Sequence, residues 1–208
     1  MKRLSLDEIE GVPVFGSLVW KPVRKTLGVT AFGINAYTAA KAGDEVVEDH
    51  TEEQLGHEEI YAVVAGHAVF TVDGEEVDAP TGTLVYVPDP ASKRGAVARD
   101  TPATVVSMGG VPGEAYAPRS WETNAELLPL FEAGEFEQVK QRIHAVLGTY
   151  DDRGGLLYNL ACAEARLGER DAALDHIREA VETEPRYGEF AQTDDDLASI
   201  REDERFPR

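Results

Sequence analysis

Polar and apolar residues alternate along His57–Gly82 in the manner of strands joined by tight turns. Glu59, Tyr61 and Val63 fall on one face at period 2, with Ile60, Ala62 and Val64 on the other. Gly66 is expected to break that strand and Val69–Val72 to start the next. Asp73-Gly74 is the strongest hairpin signal in the chain, because a type I′ turn needs positive φ at both central residues. Further short strands are predicted at Val12–Phe15, Leu18–Lys25, Leu27–Tyr37, Val46-Val47, Thr83–Val87, Gly95–Arg99 and Ala103–Met108. Pro22 marks an edge strand or a strand start. Before them, Leu4–Glu10 can make one helical turn, with Ser5 as N-cap and Glu8 three residues on. Many short strands separated by turn residues argue for a sandwich or a barrel.

After Trp121 the period becomes helical, and the segment repeats itself in a 34-residue register. Gly134 matches Gly168, Val139 matches Ala173, Ile143 matches Ile177, and Val146 matches Ala180. Each unit reads as helix, Gly-Glu turn, helix, then a breaker at Asp151 or Pro185. Asp194–Phe206 reads as a terminal capping helix, with its Asp cluster at the positive end of the dipole. The predicted fold class is α+β in two domains. An antiparallel β-barrel over residues 1–115 is followed by a linker at 116–122 and an all-α pair of hairpins over 123–208.

Composition narrows the function classes. Hydrophobic residues at 42% suffice for packed cores. The 39 acids against 20 bases leave a formal charge of −19, and both parts of the chain are acidic. Nucleic acid would have to bind against that field and is excluded as a partner. A single cysteine, Cys162, allows no intrachain disulfide. Met1-Lys2-Arg3 leads into acidic residues rather than an apolar signal segment, and no apolar run reaches spanning length. A cytoplasmic protein with no membrane partner is therefore expected. No G-x-S-x-G, Walker loop, dinucleotide fingerprint or Cys/His nucleophile pair is present, and Gly109–Gly113 reads as a linker.

The second helical unit, Leu156–Pro185, resembles the tetratricopeptide repeat family, with Leu157, Leu160, Ala161, Gly168, Ala173, Ala180 and Pro185 at its consensus places. The first unit departs more, with Leu127 and Val139 where small residues are usual. The resemblance implies a protein or peptide contact, and Asn159 is the residue expected to hold a peptide backbone. Two repeats make a small groove, so the pair is also expected to pack on the barrel or on a sister subunit.

Over roughly residues 12–112 the chain resembles the cupin family of small jelly-roll barrels. The residues that carry this are Glu59-x6-Gly66 and Gly82-x5-Pro88, which match the closing half of the first cupin motif and the opening half of the second. The resemblance implies one divalent metal held by an H-x-H pair, a glutamate and a second-motif histidine, and a homodimer. This chain departs from the pattern. The H-x-H places fall on Glu53 and Leu55 or on Glu52 and Gln54, and Lys93 stands where the second-motif histidine belongs.

Two readings follow. In one, His50, His57 and Glu59, with Glu52 or Glu53, make an altered site for Fe, Mn, Ni or Zn. In the other no metal is bound, and Glu59 pairs with Lys93 or Arg94 in the barrel mouth, because a carboxylate among apolar strand positions needs a partner. Tyr37, Tyr61, Tyr86, Lys93 and Arg94 are the candidate pocket, the two cations suiting an anionic small-molecule ligand. The expected function is a non-catalytic sensor barrel with a helical interaction module. The alternative is a metal-dependent oxygenase or isomerase acting on a small polar substrate.

Overall fold

Met1–Val14 and Gly16–Pro207 are described in the structure, a computed structural model. They form two compact units, Met1–Ala117 and Pro118–Arg208. Phe15, at the end of the first predicted strand, lies outside the described residues.

In the first unit Leu6–Glu8 form one 3-10 turn closed by a capping box, Ser5 accepting from the backbone and Glu8 reaching back to the Ser5 N–H. Eight strands among the described residues follow: β1 (Val12–Pro13), β2 (Leu18–Lys21), β3 (Gly33–Ala39), β4 (Glu45–His50), β5 (Glu58–Val72), β6 (Glu75–Pro80), β7 (Leu84–Val87) and β8 (Arg94–Gly110). All pairings are antiparallel, and β5 and β8 run through the whole sheet. The first half of β5 lies between β7 and the second half of β8, which also takes β3. The second half of β5 lies between β6 and the first half of β8, which also takes β4. The sheet curls so that both halves bury one shared core, in which Tyr61 and Val63 meet Phe70, Val46, Ala96 and Val105. Tyr61 and Phe70 ring centroids are 5.4 Å apart across this interior.

Three local expectations need correction. Gly66 does not end a strand. With φ 70° it makes a bulge inside the continuous β5, where the register to β8 shifts. A Cβ there would stand 2.3 Å from the Pro102 carbonyl oxygen. Gly95–Arg99 and Ala103–Met108 are likewise one strand, and it runs on into Gly109 and Gly110, so the predicted linker begins only after them. Residues after Pro22 do not continue a strand: Val23–Leu27 form the short helix α1. Val23 and Leu27 pack with Ile9 and Ala36 on the outer side of β3. Asp73-Gly74 makes the expected hairpin, with φ of 50° and 87° and Val72 opposite Glu75.

The second unit contains α2 (Trp121–Glu132), α3 (Phe136–Val146), α4 (Gly154–Leu167), α5 (Arg170–Thr183) and the short α6 (Arg186–Ala191). Equivalent positions of the two helix pairs are buried alike: Val139 with Ala173, and Ile143 with Ile177. The expected capping helix over Asp194–Phe206 is absent. Asp195–Leu197 form a 3-10 turn capped by Asp194, and irregular turns follow. This segment still seals the core, since Leu197, Ile200 and Phe206 pack on Leu174 and Ile177. No helix of the described residues is long and apolar enough to cross a membrane.

Candidate metal centre

The inner faces of β4, β5 and β8 bring ionisable side chains together at one end of the sheet. Glu59 points inward because period 2 places it with Tyr61 and Val63. Opposite it in the ladder stands Gly109, where a Cβ would come within 2.9 Å of Glu59 Cγ and 2.8 Å of the Glu58 carbonyl. Glycine at this position is what leaves room for the glutamate. His50 ends β4, directly opposite Arg94 at the start of β8. Glu52 lies in the turn after β4, tied by its N–H to the Pro90 carbonyl at 2.9 Å.

His50 Nδ1 donates to the Glu48 carbonyl at 2.7 Å. A carbonyl can only accept, so Nδ1 carries the proton and Nε2 is turned toward the carboxylates. Nε2 stands 3.4 Å from Glu59 Oε2 and 3.7 Å from Glu52 Oε1. One ligand atom from each of His50, Glu52 and Glu59 lies within 4.8 Å of the others. Burial alone would raise the Glu59 carboxyl. Hydrogen bonds from His50 and Tyr61, with the charges of His50 and Arg94, outweigh it and hold the group below the usual range. Burial lowers His50 in turn, yet Glu59, the Glu48 carbonyl and Glu52 together carry it above its ordinary value. The Tyr61 hydroxyl donates to Glu59 Oε2; burial and that carboxylate push it far up, so it stays protonated.

The fourth charged group is Arg94. Its side chain is fully buried, and Nε lies 3.3 Å from Glu59 Oε2. Nη1 donates to the Pro90 and Ser92 carbonyls at 3.1 and 2.7 Å, fastening the loop that also holds Glu52. Nη2 and Nε make no aligned hydrogen bond, and neither does the buried Glu52 Oε2.

The predicted site residues separate accordingly. His50 and Glu59 converge, and Glu52 joins them. Glu53 is exposed and outside the cluster. His57 does not share the cluster: it stands behind Glu52, with Nδ1 3.0 Å from Glu52 Oε2 and its ring 5.9 Å from that of Tyr116. Of the two candidate cations, Arg94 meets Glu59, whereas Lys93 is on the rim, paired with Asp49 at 2.9 Å. Tyr61 is inside and Tyr37 packs against the same core, half-buried. Tyr86 is not a pocket residue. It faces outward, more than half exposed, and donates to Glu58 at 2.6 Å. Asn159, in the helical unit, uses its amide on Asn124 of α2 at 2.9 Å, so the donor expected to clamp a peptide is occupied. Sequence reasoning placed Gly109 in a linker, and its place opposite Glu59 becomes readable only once the register is known.

No family model matches the chain, and no curated protein does. Among solved structures it is similar to a cupin protein from Bacteroides fragilis, at 22% identity over 56% of this chain and 89% of that one, with TM-score 0.41. It is also similar to a cupin-superfamily sugar phosphate isomerase from Silicibacter pomeroyi, at 21% identity over 52% and 75% of the two chains, with TM-score 0.44. A third is KdgF from a Halomonas species, at 18% identity over 50% and 86%, with TM-score 0.41.

Proposed function

We propose that the N-terminal unit is a cupin-like binding barrel whose site takes a divalent cation between His50, Glu52 and Glu59 and, through it, a small polar ligand. The observation that carries this reading is the fixed tautomer of His50. The Nδ1 proton is committed to Glu48, so Nε2 is the nitrogen turned toward the carboxylates of Glu52 and Glu59. Imidazole with carboxylate oxygens is a donor set that suits Mn(II), Fe(II) or Zn(II). Such an ion, when bound, would polarise an oxygen of the ligand. The chain's own residues hold and orient: Glu48 sets the His50 ring, Tyr61 fixes one oxygen of Glu59, and Arg94 anchors the Pro90–Ser92 loop to which the Glu52 N–H is tied.

Binding is the reading preferred over an oxygenase or isomerase reaction because Glu59 is tied by Tyr61, His50 and Arg94 and so serves to hold rather than to act on a ligand. The helix pairs are read, from their repeat register and matched burial, as tetratricopeptide-like hairpins that serve a protein contact.

Titration calorimetry of the full chain with Mn(II) and Zn(II) tests the metal. One ion per chain is expected, with His50→Ala and Glu52→Gln weakening it by about tenfold or more and Glu53→Ala leaving it unchanged. No binding by the unaltered chain, or equal binding by all variants, would refute the site.

A further inference from the structure

We propose that Arg94 is the receptor for a small carboxylate, bound beside the cation of the site described above. The inference rests on that metal reading and adds the class of ligand.

The argument begins with the guanidinium edge. Arginine presents two N–H groups side by side along its Nε–Nη2 edge, a spacing that matches the two oxygens of a carboxylate. In Arg94 the opposite nitrogen, Nη1, is occupied by Pro90 and Ser92. The Nε–Nη2 edge is the one left without aligned hydrogen bonds, although the side chain has no solvent exposure. Glu59 comes to 3.3 Å from Nε yet does not close the fork, because the same Oε2 receives the Tyr61 hydroxyl and faces His50. A buried guanidinium whose Nη2 has no aligned acceptor and whose Nε meets Glu59 only at 3.3 Å is expensive unless something completes the fork.

Charge points the same way. Two carboxylates, Glu52 and Glu59, and one guanidinium, paired with Glu59, meet at this end of the sheet. Adding a divalent cation turns this group from one net negative charge to one net positive charge. A buried excess of that kind is neutralised by a monoanion. A neutral alcohol or sugar would leave both the charge and the fork unmet. Arg94 lies on the inner face, with Ala96 and Ala98 following it inward along β8, so the fork opens toward the core rather than toward bulk water.

The experiment titrates glycolate, and separately ethylene glycol, into the Mn(II)-loaded full chain by calorimetry. Glycolate is expected to bind at least about tenfold more tightly than its uncharged counterpart. That comparison uses the unaltered chain and so does not depend on any variant folding. Arg94→Met should weaken glycolate by about tenfold or more and Arg94→Lys by less, each variant being titrated with glycolate at Mn(II) concentrations that its own Mn(II) titration shows to saturate it. Equal binding of the two titrants, no glycolate binding to the loaded chain, or equal glycolate binding by Arg94→Met would overturn the proposal. If Mn(II) itself does not bind, the metal reading falls separately. Glycolate binding to the metal-free chain that Arg94→Met removes would then retain the carboxylate receptor, and its absence would end it.

Discussion

Arg94 Nε and Glu59 Oε2 stand 3.3 Å apart inside the sheet, the arginine with no solvent exposure and the glutamate nearly buried. A pair in this position is held less by its own attraction than by the cost of leaving one member alone. Glu59→Leu is therefore expected to cost about 3–5 kcal/mol. The double variant Glu59→Leu/Arg94→Met should lose far less than the sum of its parts. Urea denaturation of the three variants measures this, and strict additivity would show that the two groups do not depend on each other.

Gly66 permits β5 to pass from one half of the sheet to the other. Gly66→Ala places a side chain at φ 70° with its Cβ 2.3 Å from the Pro102 carbonyl. The backbone conformation alone costs roughly 1–2 kcal/mol, and the clash adds to it. A loss above about 2 kcal/mol in the same denaturation assay is expected. A neutral result would mean that the bulge can be remodelled freely.

Gly109 and Gly110 are adjacent but should respond differently. A Cβ at Gly109 collides with Glu59 Cγ, whereas one at Gly110 meets nothing closer than Tyr116 at 3.9 Å. Gly109→Ala is expected to weaken Mn(II) binding by about tenfold by displacing Glu59, and Gly110→Ala to leave it within a factor of about two. Similar affinities in both would place Glu59 outside the metal site.

In the helical unit, His176 Nδ1 lies 2.7 Å from Glu164 Oε2, a carboxylate almost wholly buried. The hydrogen bond to Glu164 outweighs burial and raises the histidine above its ordinary value. The protonated form is therefore favoured by folding. Its contribution is complete below about pH 6.5 and is lost as pH climbs through the raised folded value. His176→Ala should destabilise the chain more at pH 6 than at pH 9. The pH-dependent part is expected to stay under about 1 kcal/mol because the ring is partly solvated. Denaturation at the two pH values checks the sign, and a larger loss at pH 9 would reverse it.

Much of the fold was legible because it follows from short-range rules. The inward row Glu59, Tyr61 and Val63, the Asp73-Gly74 turn, the Ser5 capping box and the two helix pairs each depend on neighbours within a few positions. What was missed depends on partners far along the chain. Asp100-Thr101-Pro102 has the composition of a turn, but β8 continues across it, the register to β5 shifting there rather than the strand ending. Pro22 reads in the sequence as an edge-strand position or a strand start, whereas β2 ends before it and α1 begins after it; that helix is stabilised by packing on Ile9 and Ala36, which local sequence does not announce. The choice between Lys93 and Arg94 illustrates the same limit. Adjacent residues on a strand face opposite ways, and only the register of His50 with Arg94 says which one enters the core. Glu52 reached the site from a turn, and Tyr86, one strand position from the inward Val87, fell on the outside.

The length of β8 sets an order on how this unit comes into being. β3, β4 and both halves of β5 all find a ladder partner in that one strand, with Gly33 waiting for Gly109 and His50 for Arg94. During synthesis, Met1 to Lys93 can make the β1–β2–β3 ladder and pair β5 with β6 and β7, but nothing yet joins the two groups or takes β4. The sides of β3, β4 and β5 that await β8 emerge as unpaired edges, the state in which a chain is most exposed to wrong pairing. Assembly therefore falls among the slow, non-local foldings of β proteins. The charged site closes in the same event: Arg94 and Gly109, near the two ends of the last strand, arrive together at the glutamate that has been waiting for both.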